Sequence, residues 1–163
     1  MISREYQNLS LRTVPAHLAF WKLEGEVAQR ARRDLLCNCA LGMAGEAAEI
    51  VETPTSDEIG DGYWYAYVLF RALGVDDHEP RTTGDRSTAQ ANAHRSAGAV
   101  CELVKKHVFH GRDLDAVADK LTSFTRAYVD ALATIDTQPA ATTFDQNVAK
   151  LRARYPEGFF ERG

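Results

Sequence analysis

Two pairs of acidic residues have the types and the spacing that metal-dependent chemistry needs. Glu46 and Glu49 are three residues apart, and Glu58 and Asp61 repeat that spacing a short way along the chain. Residues three apart share one face of a helix, so each pair presents its carboxylates on the same side. Four converging carboxylates repel one another unless a cation lies between them. Mg²⁺ prefers carboxylate oxygens and also binds phosphates, so the pattern predicts a Mg²⁺ site that Mn²⁺ can also fill.

Either pair alone is explained as well by ordinary helix architecture. An acidic pair at this spacing is common on a solvated helix face, and Glu58 fits a capping box opened by Thr55. Asp57 and Glu58 also suit the positive end of a helix. The two pairs together, on consecutive segments and beside small residues that allow close approach, favour the metal site. Those small residues are Gly42, Ala44, Gly45, Ala47, Ala48, Gly60 and Gly62.

The elements that must position these acids are predicted to be helices. Apolar residues recur at helical spacing along almost the whole chain, and no segment alternates as a strand would. The predicted helices cover residues 16–32, 34–52, 56–73, 89–110, 115–135 and 144–154. Short connections make successive helices antiparallel, which predicts an all-α bundle with the two acidic pairs in one groove. A chain of 163 residues is long enough for one such domain, residues 1–163, and too short for two.

A weak internal likeness links the two halves of the chain. Residues 45–51 resemble residues 98–104, at an offset of 53 residues. The pattern fits a degenerate, duplicated helix pair and fits chance similarity between amphipathic helices equally well. In the second copy Ala99 stands where Glu46 stands in the first, so no second metal site is expected.

Composition narrows the classes of function. The net charge is −4, so no global basic field is present to bind nucleic acid. No apolar run approaches the ~20 residues that span a bilayer, so no membrane association is expected. An odd, small number of cysteines indicates reduced thiols in a cytoplasmic protein. They are Cys37, Cys39 and Cys101.

The residues around both acidic pairs resemble the ExxE…ExxD motif of MazG-like nucleoside triphosphate pyrophosphohydrolases, members of the all-α NTP pyrophosphatase superfamily. The motif is matched by residues 41–49 and 57–65. Both ends of the chain are also similar to small proteins of this family, through Tyr6-Gln7…Arg12-Thr13 and through residues 147–159. The resemblance thus touches the middle and both termini of the sequence.

This resemblance implies a bundle of the MazG or dimeric dUTPase type that hydrolyses a nucleoside triphosphate. Water attacks the α-phosphorus and pyrophosphate leaves. The implied catalytic residues and Mg²⁺ ligands are Glu46, Glu49, Glu58 and Asp61. The implied contacts with the nucleoside triphosphate are made by Asn147, Lys150, Arg154 and Tyr155, together with Lys105 and Lys106.

The two lysines carry a departure from the family pattern. A segment like residues 104–111 lies between the acidic pairs in relatives of this size, whereas here it follows them. Lys105 and Lys106 therefore fit phosphate binding and the usual preference for cations at a helix C-terminus equally well.

The aromatic residues of the third predicted helix lie on more than one of its faces. They are Tyr63, Trp64, Tyr65, Tyr67 and Phe70. A helix that is apolar all round must be buried all round. We therefore predict a homodimer or higher homo-oligomer, although a true internal repeat would supply the same cover within a monomer.

Two other functions compete with this one. A phosphoribosyl-ATP pyrophosphohydrolase has the same type of fold, but the tail at residues 155–159, Tyr-Pro-Glu-Gly-Phe, argues against it. A non-catalytic helical interaction protein could keep the same scaffold. Four uncompensated acids argue against that alternative, because a binding module has no reason to tolerate their repulsion.

Overall fold

The computed structural model describes residues 1–76 and 78–156, and within them the chain forms helices and no strand. The α-helices are α1 Ser3–Ser10, α2 Gly25–Glu52, α3 Ser56–Ala72, α4 Arg86–Val108, α5 Asp115–Ile135 and α6 Ala140–Arg154. Three short 3₁₀ helices, Leu11–Thr13, Ala16–Leu18 and Phe20–Lys22, lie between α1 and α2. The predicted all-α bundle is confirmed.

Four long helices form the body of the bundle. α2 packs on α3, α4 packs on α5, and the two pairs meet through α2 with α4 and α3 with α5. α2 and α4 are antiparallel, because the Cys101 thiol contacts the Ala40 carbonyl while Arg33 reaches the carbonyl of Val108. α1 and α6 pack on α3. Two helix pairs are therefore present, in an arrangement that agrees with either origin of the internal likeness.

The start of the bundle differs from the prediction. Residues 16–32 and 34–52 were expected to form two helices, but α2 runs unbroken from Gly25 to Glu52. No proline interrupts that stretch, so the helix has no reason to end near Arg33. The preceding residues form 3₁₀ turns that bury Leu18, whereas Val27, which matched the same apolar spacing, is 63 % exposed. α1 was not predicted either.

Several helix ends follow the local signals in the sequence. The Thr55 side chain accepts a hydrogen bond from the Glu58 backbone N–H, so the capping interaction at the start of α3 is real. Gly74, with φ of 73°, ends that helix. α4 begins earlier than predicted because the Asp85 carboxylate caps it by accepting from the Thr88 N–H at 2.9 Å. α6 begins at Ala140, one turn before the predicted start.

An aromatic core joins α1, α3 and α6. Tyr6, Tyr63, Tyr67, Phe70 and Phe144 are all fully or almost fully buried, and the rings of Tyr6 and Phe144 stack with centroids 4.3 Å apart. The same chain thus buries Tyr63, Tyr67 and Phe70 of α3, whereas Trp64 and Tyr65 are only partly buried. The oligomeric state stays a prediction.

The connection from α3 to α4 fixes α1 against the bundle. Glu79 accepts hydrogen bonds from the Ser3 hydroxyl and backbone N–H, at 2.6 and 3.1 Å, and His78 contacts Asp130 of α5 at 2.8 Å. These contacts hold α1, whose Tyr6 reaches the candidate site described below. None of the helices in the two described ranges is long and apolar enough to cross a membrane.

Candidate functional site

Three carboxylates meet where the C-terminal end of α2 faces the N-terminal end of α3. Oxygen atoms of Glu46, Glu58 and Asp61 all lie within 4.8 Å of one another. The short connection at residues 53–55 forces α2 and α3 to run antiparallel, and this brings the two acidic pairs together. Glu49 is exposed and does not belong to the group. The predicted convergence of four acids is therefore found for three.

Charge is distributed along α2 in the order that a helix disfavours. The last turn holds Glu49 and Glu52 and no basic residue, next to the partial negative charge of the helix C-terminus. The first half of α2 holds Arg30, Arg32 and Arg33 instead. Glu26 in the first turn is an exception to this order, and no basic residue of α2 balances its acidic last turn.

Glu46 is the most perturbed acid of the group. Burial raises its pKa to about 8, and the nearby charges of Asp61, Glu49 and Glu58 add to the effect. Its Oε2 atom is buried and has no hydrogen-bond partner among the described residues. A buried carboxylate oxygen without a partner is costly, so this atom needs a proton or a cation. The pKa of Glu58 is also raised, by burial and by its acidic neighbours.

Asp61 is held by two residues of α6 that were predicted to lie in the site. Lys150 Nζ lies 2.7 Å from each oxygen of Asp61 and 3.0 Å from Oδ1 of Asp57. Asn147 Nδ2 donates to Asp61 Oδ1 at 2.8 Å. The structure thus brings Asn147 and Lys150 onto the acidic group. They contact the group through Asp61, not through Glu46 or Glu58.

Tyr6 fixes the orientation of the Asn147 side chain by a hydrogen bond. Its hydroxyl lies 2.8 Å from Asn147 Oδ1 and 3.1 Å from the carbonyl of Gly60. Burial raises the pKa of Tyr6 well above its usual value, so the hydroxyl stays protonated and donates. Asn147 must then present its NH₂ group to Asp61. No spacing in the sequence points to this role, because Tyr6 and Asn147 are 141 residues apart.

An open pocket of about 240 Å³ adjoins the acids. Its walls include the predicted residues Arg154 and Tyr155, and Glu46 and Asp61 form part of its lining. The other lining residues are Thr13, Pro15, Asn38, Trp64, Tyr65 and Leu151. The pocket therefore combines carboxylates, a guanidinium and aromatic rings.

The two aromatic rings of α3 in this pocket are held in place by neighbouring residues. The Trp64 indole N–H donates to Thr13 Oγ1 at 2.8 Å. The Tyr65 ring lies against Gly42, where an added Cβ would be 2.3 Å from a ring carbon. The ring planes of Trp64 and Tyr65 are nearly perpendicular, with centroids 4.9 Å apart. Gly42 thus leaves room for the Tyr65 ring, which agrees with the close approach of helices predicted from the small residues.

Spacing along the helices points to two pocket residues that were not predicted to lie there. Asn38 precedes Glu46 by eight residues, so both lie along one face of α2. Tyr65 follows Asp61 by four residues on α3 in the same way. Extending each acidic pair along its helix face therefore leads into the pocket.

Lys105 and Lys106 lie elsewhere. Both pair with Glu102, one turn earlier on the exposed surface of α4. Since Cys101 lies beside Ala40 and the helices are antiparallel, Lys105 lies ~15 Å along the α2 axis from Glu46 at 1.5 Å per residue. Neither lysine lines the pocket, so their predicted contact with phosphate has no support in this arrangement.

The acidic group fits a hard divalent cation such as Mg²⁺. Oxygen ligands of an octahedral Mg²⁺ lie ~2.1 Å from the ion and thus up to ~4.2 Å from one another, so carboxylate oxygens that lie within 4.8 Å of one another need only small movements to share one ion. The buried oxygen of Glu46 lacks any other partner among the described residues. Lys150 pairs with Asp61 of this group and with the neighbouring Asp57.

Comparison of the chain with protein-family models, with curated proteins and with solved structures finds no match. The family resemblance therefore rests on the motif residues and termini quoted above. The last part of that motif, residues 157–159, lies outside the described residues. The interpretation of the site rests on its own geometry.

Proposed function

We propose that this protein is a Mg²⁺-dependent pyrophosphohydrolase, which converts a nucleoside or deoxynucleoside triphosphate to the monophosphate and pyrophosphate. The observation that carries the proposal is the buried, unpartnered oxygen of Glu46 within a group of three carboxylates beside an open pocket. The ExxE…ExxD resemblance, which rests on the same acids and on the residues that flank them, also supports it. Mn²⁺ is proposed as a substitute cation.

Glu46, Glu58 and Asp61 would hold the cation, with Glu49 near enough to add negative charge to the site. When bound, the cation supplies a water molecule that is nucleophilic near neutral pH and neutralises charge on phosphate oxygens. Glu46 Oε2, which is buried and has no other partner among the described residues, would face the cation.

The remaining residues position the substrate. Water oxygen bonds to the α-phosphorus, the bond from that phosphorus to the bridging oxygen breaks, and pyrophosphate carries the electron pair away. Arg154, which lines the pocket, and Lys150, which contacts Asp61, would supply positive charge near the phosphates. Trp64 and Tyr65 offer faces for stacking the base, and the Asn38 amide can donate to and accept from a base edge.

The test is a pyrophosphate-release assay over all ribonucleoside and deoxyribonucleoside triphosphates, in Mg²⁺ and in EDTA. Phosphoribosyl-ATP is included because an enzyme for that compound would have the same type of fold. We expect Mg²⁺-dependent release from at least one nucleoside triphosphate, abolished by EDTA. The proposal fails if no nucleotide yields pyrophosphate, or if phosphoribosyl-ATP alone does.

A non-catalytic interaction protein is the second candidate, because Lys150 already pairs with Asp61 and Asp57. In that case the acids are partly compensated within the chain and need no metal. A thermal denaturation series with Mg²⁺ and EDTA separates the two functions. Stabilisation that grows with Mg²⁺ concentration supports the enzyme, and its absence supports the interaction protein.

We further propose a cytoplasmic protein that forms a homo-oligomer. The cysteines are free in the structure, which agrees with a reducing compartment. Two large apolar side chains, Leu41 and Phe109, are more than 70 % exposed and are available for contact between subunits. Light scattering of the purified protein measures the oligomeric state directly.

A further inference from the structure

Lys150 is fully engaged by the residues that would hold the cation. Its Nζ atom contacts three carboxylate oxygens, both oxygens of Asp61 at 2.7 Å and Oδ1 of Asp57 at 3.0 Å. A lysine ammonium has three N–H donors, so none is left for a phosphate. The side chain is only 20 % exposed. As it stands, Lys150 neutralises the site and does not offer its charge to a substrate.

Asp61 has little capacity left for another partner. Its Oδ1 atom accepts from both Asn147 and Lys150, and its Oδ2 atom accepts from Lys150. The two oxygens of a carboxylate offer about four lone-pair positions, three of which are taken. A divalent cation at Asp61 therefore arrives where an ammonium already lies, and the two positive charges repel each other.

The two partners of Asp61 differ in what they can do when a cation arrives. Asn147 is neutral, 3 % exposed and fixed by Tyr6, so it can keep Asp61 oriented without repelling the cation. Lys150 is charged and sits on a flexible four-carbon stem. It also retains Asp57, whose side chain is 63 % exposed, as a partner on the outer side of the site.

Resting on the proposed function, we propose that Lys150 is a displaceable counter-cation. Binding of Mg²⁺ to Glu46, Glu58 and Asp61 turns the Lys150 ammonium away from Asp61 and towards Asp57 and the pocket. The two donors released from Asp61 then bind phosphate oxygens of the nucleotide. Cation binding thereby prepares the phosphate site, and Lys150 is a positioning residue whose partner changes between the two states.

The first test uses the wild-type protein and needs no variant to fold. Lysines are reductively methylated in a short pulse, in Mg²⁺ or in EDTA and without nucleotide, and modification is quantified by mass spectrometry. We expect methylation of Lys150 to rise severalfold in Mg²⁺. Lys105, which is 49 % exposed and pairs with Glu102, is the internal control and should not change. Unchanged or reduced methylation of Lys150 in Mg²⁺ overturns the inference.

The second test measures Mg²⁺ binding by calorimetry in the absence of nucleotide. Lys150→Met removes the competing charge and should tighten Mg²⁺ binding about tenfold or more, because a nearby like charge is gone. Lys105→Met removes one positive charge far from the site and should leave binding unchanged. Equal or weaker binding by Lys150→Met overturns the inference alone. If the wild type and both variants bind no Mg²⁺, this inference and the proposed metal site are both wrong.

Discussion

Glutamates of the two helix pairs lie in opposite electrostatic environments. In the α4–α5 pair, Glu102 is exposed, pairs with Lys105 and Lys106, and has its pKa lowered, most of all by the hydrogen bond from Lys105. In the α2–α3 pair, Glu46 is half-buried among other acids and has its pKa raised to about 8. The charge of Glu102 in the α4–α5 pair is therefore balanced by neighbouring lysines. The acids around Glu46 in the α2–α3 pair are not balanced in this way.

The positions that correspond between the pairs sharpen this contrast. Ala99 of α4 corresponds to Glu46, and Thr122 of α5 corresponds to Asp61, at offsets of 53 and 61 residues. The second pair therefore lacks the acids that would form a group. If the two pairs share an origin, only one has the residues for cation chemistry; if they do not, the acidic group still belongs to the first pair alone within the described residues.

The largest effect should come from Asp61→Asn. The substitution keeps the size and shape of the side chain but removes the negative charge to which Asn147 and Lys150 both donate hydrogen bonds. We expect pyrophosphate release to fall ~10²-fold or more, the scale of a lost electrostatic contact in a transition state. Glu102→Gln, the matched change in the second pair, should leave turnover unaltered. Comparable turnover in both variants would remove the functional distinction between the pairs.

Gly42→Ala should narrow the pocket without touching the acids. The new Cβ would lie 2.3 Å from the Tyr65 ring, so the ring must move. We expect KM for the nucleotide to rise about tenfold with a smaller change in kcat, because ground-state binding is lost. Gly45→Ala is the control on the same helix, since nothing lies within 4 Å of its added Cβ. Equal KM values in the two variants would show that Tyr65 does not contact the nucleotide.

Glu46→Gln should change how stability depends on pH in EDTA. A carboxyl whose pKa is about 8 when folded and 4.5 when unfolded keeps its proton longer in the folded state. The wild-type protein should therefore lose stability as pH rises from about 4.5 through about 8. Glu46→Gln should flatten that decline in urea denaturation series. Glu102→Gln should preserve it, and an equal slope in all three proteins would argue against a perturbed Glu46.

The smallest effect on turnover should come from Glu49→Gln. Glu49 matches the family motif as well as Glu46 does, yet its carboxylate is exposed and lies outside the group of three. It acts on Glu46 through space, by raising its pKa. We expect turnover to fall less than ~10-fold, which is less than ~1.4 kcal/mol in the barrier. A loss as large as that of Asp61→Asn would mean that Glu49 joins the group during catalysis.

Local signals explain what the sequence could predict. The helical position of the acidic pairs could be predicted because their three-residue spacing and the Thr55 cap are local features of the sequence. The bounds of α5 were also predicted correctly. Asn147 and Lys150 were predicted from the resemblance of residues 147–159 to the family. No local feature of the sequence showed that both donate to Asp61.

Tertiary contacts decided the parts that the sequence did not reveal. The 3₁₀ turns before α2 pack on it, and Arg32 of α2 lies over the Phe20 ring at 5.4 Å from the ring centre and binds the Ala72 carbonyl at the end of α3. The spacing of apolar residues within 16–32 carries no information about such tertiary contacts. The role of Tyr6 was hidden for the same reason, since its partners are distant in sequence.

The most direct test of the contrast between the two helix pairs is paramagnetic broadening of amide NMR signals by sub-stoichiometric Mn²⁺. If the acidic end of the α2–α3 pair binds a divalent cation, signals around Glu46, Glu58 and Asp61 should broaden first, and excess Mg²⁺ should restore them. Signals around Glu102 in the α4–α5 pair should stay sharp. Equal broadening in both pairs, or none around the three acids, would contradict the proposed metal site.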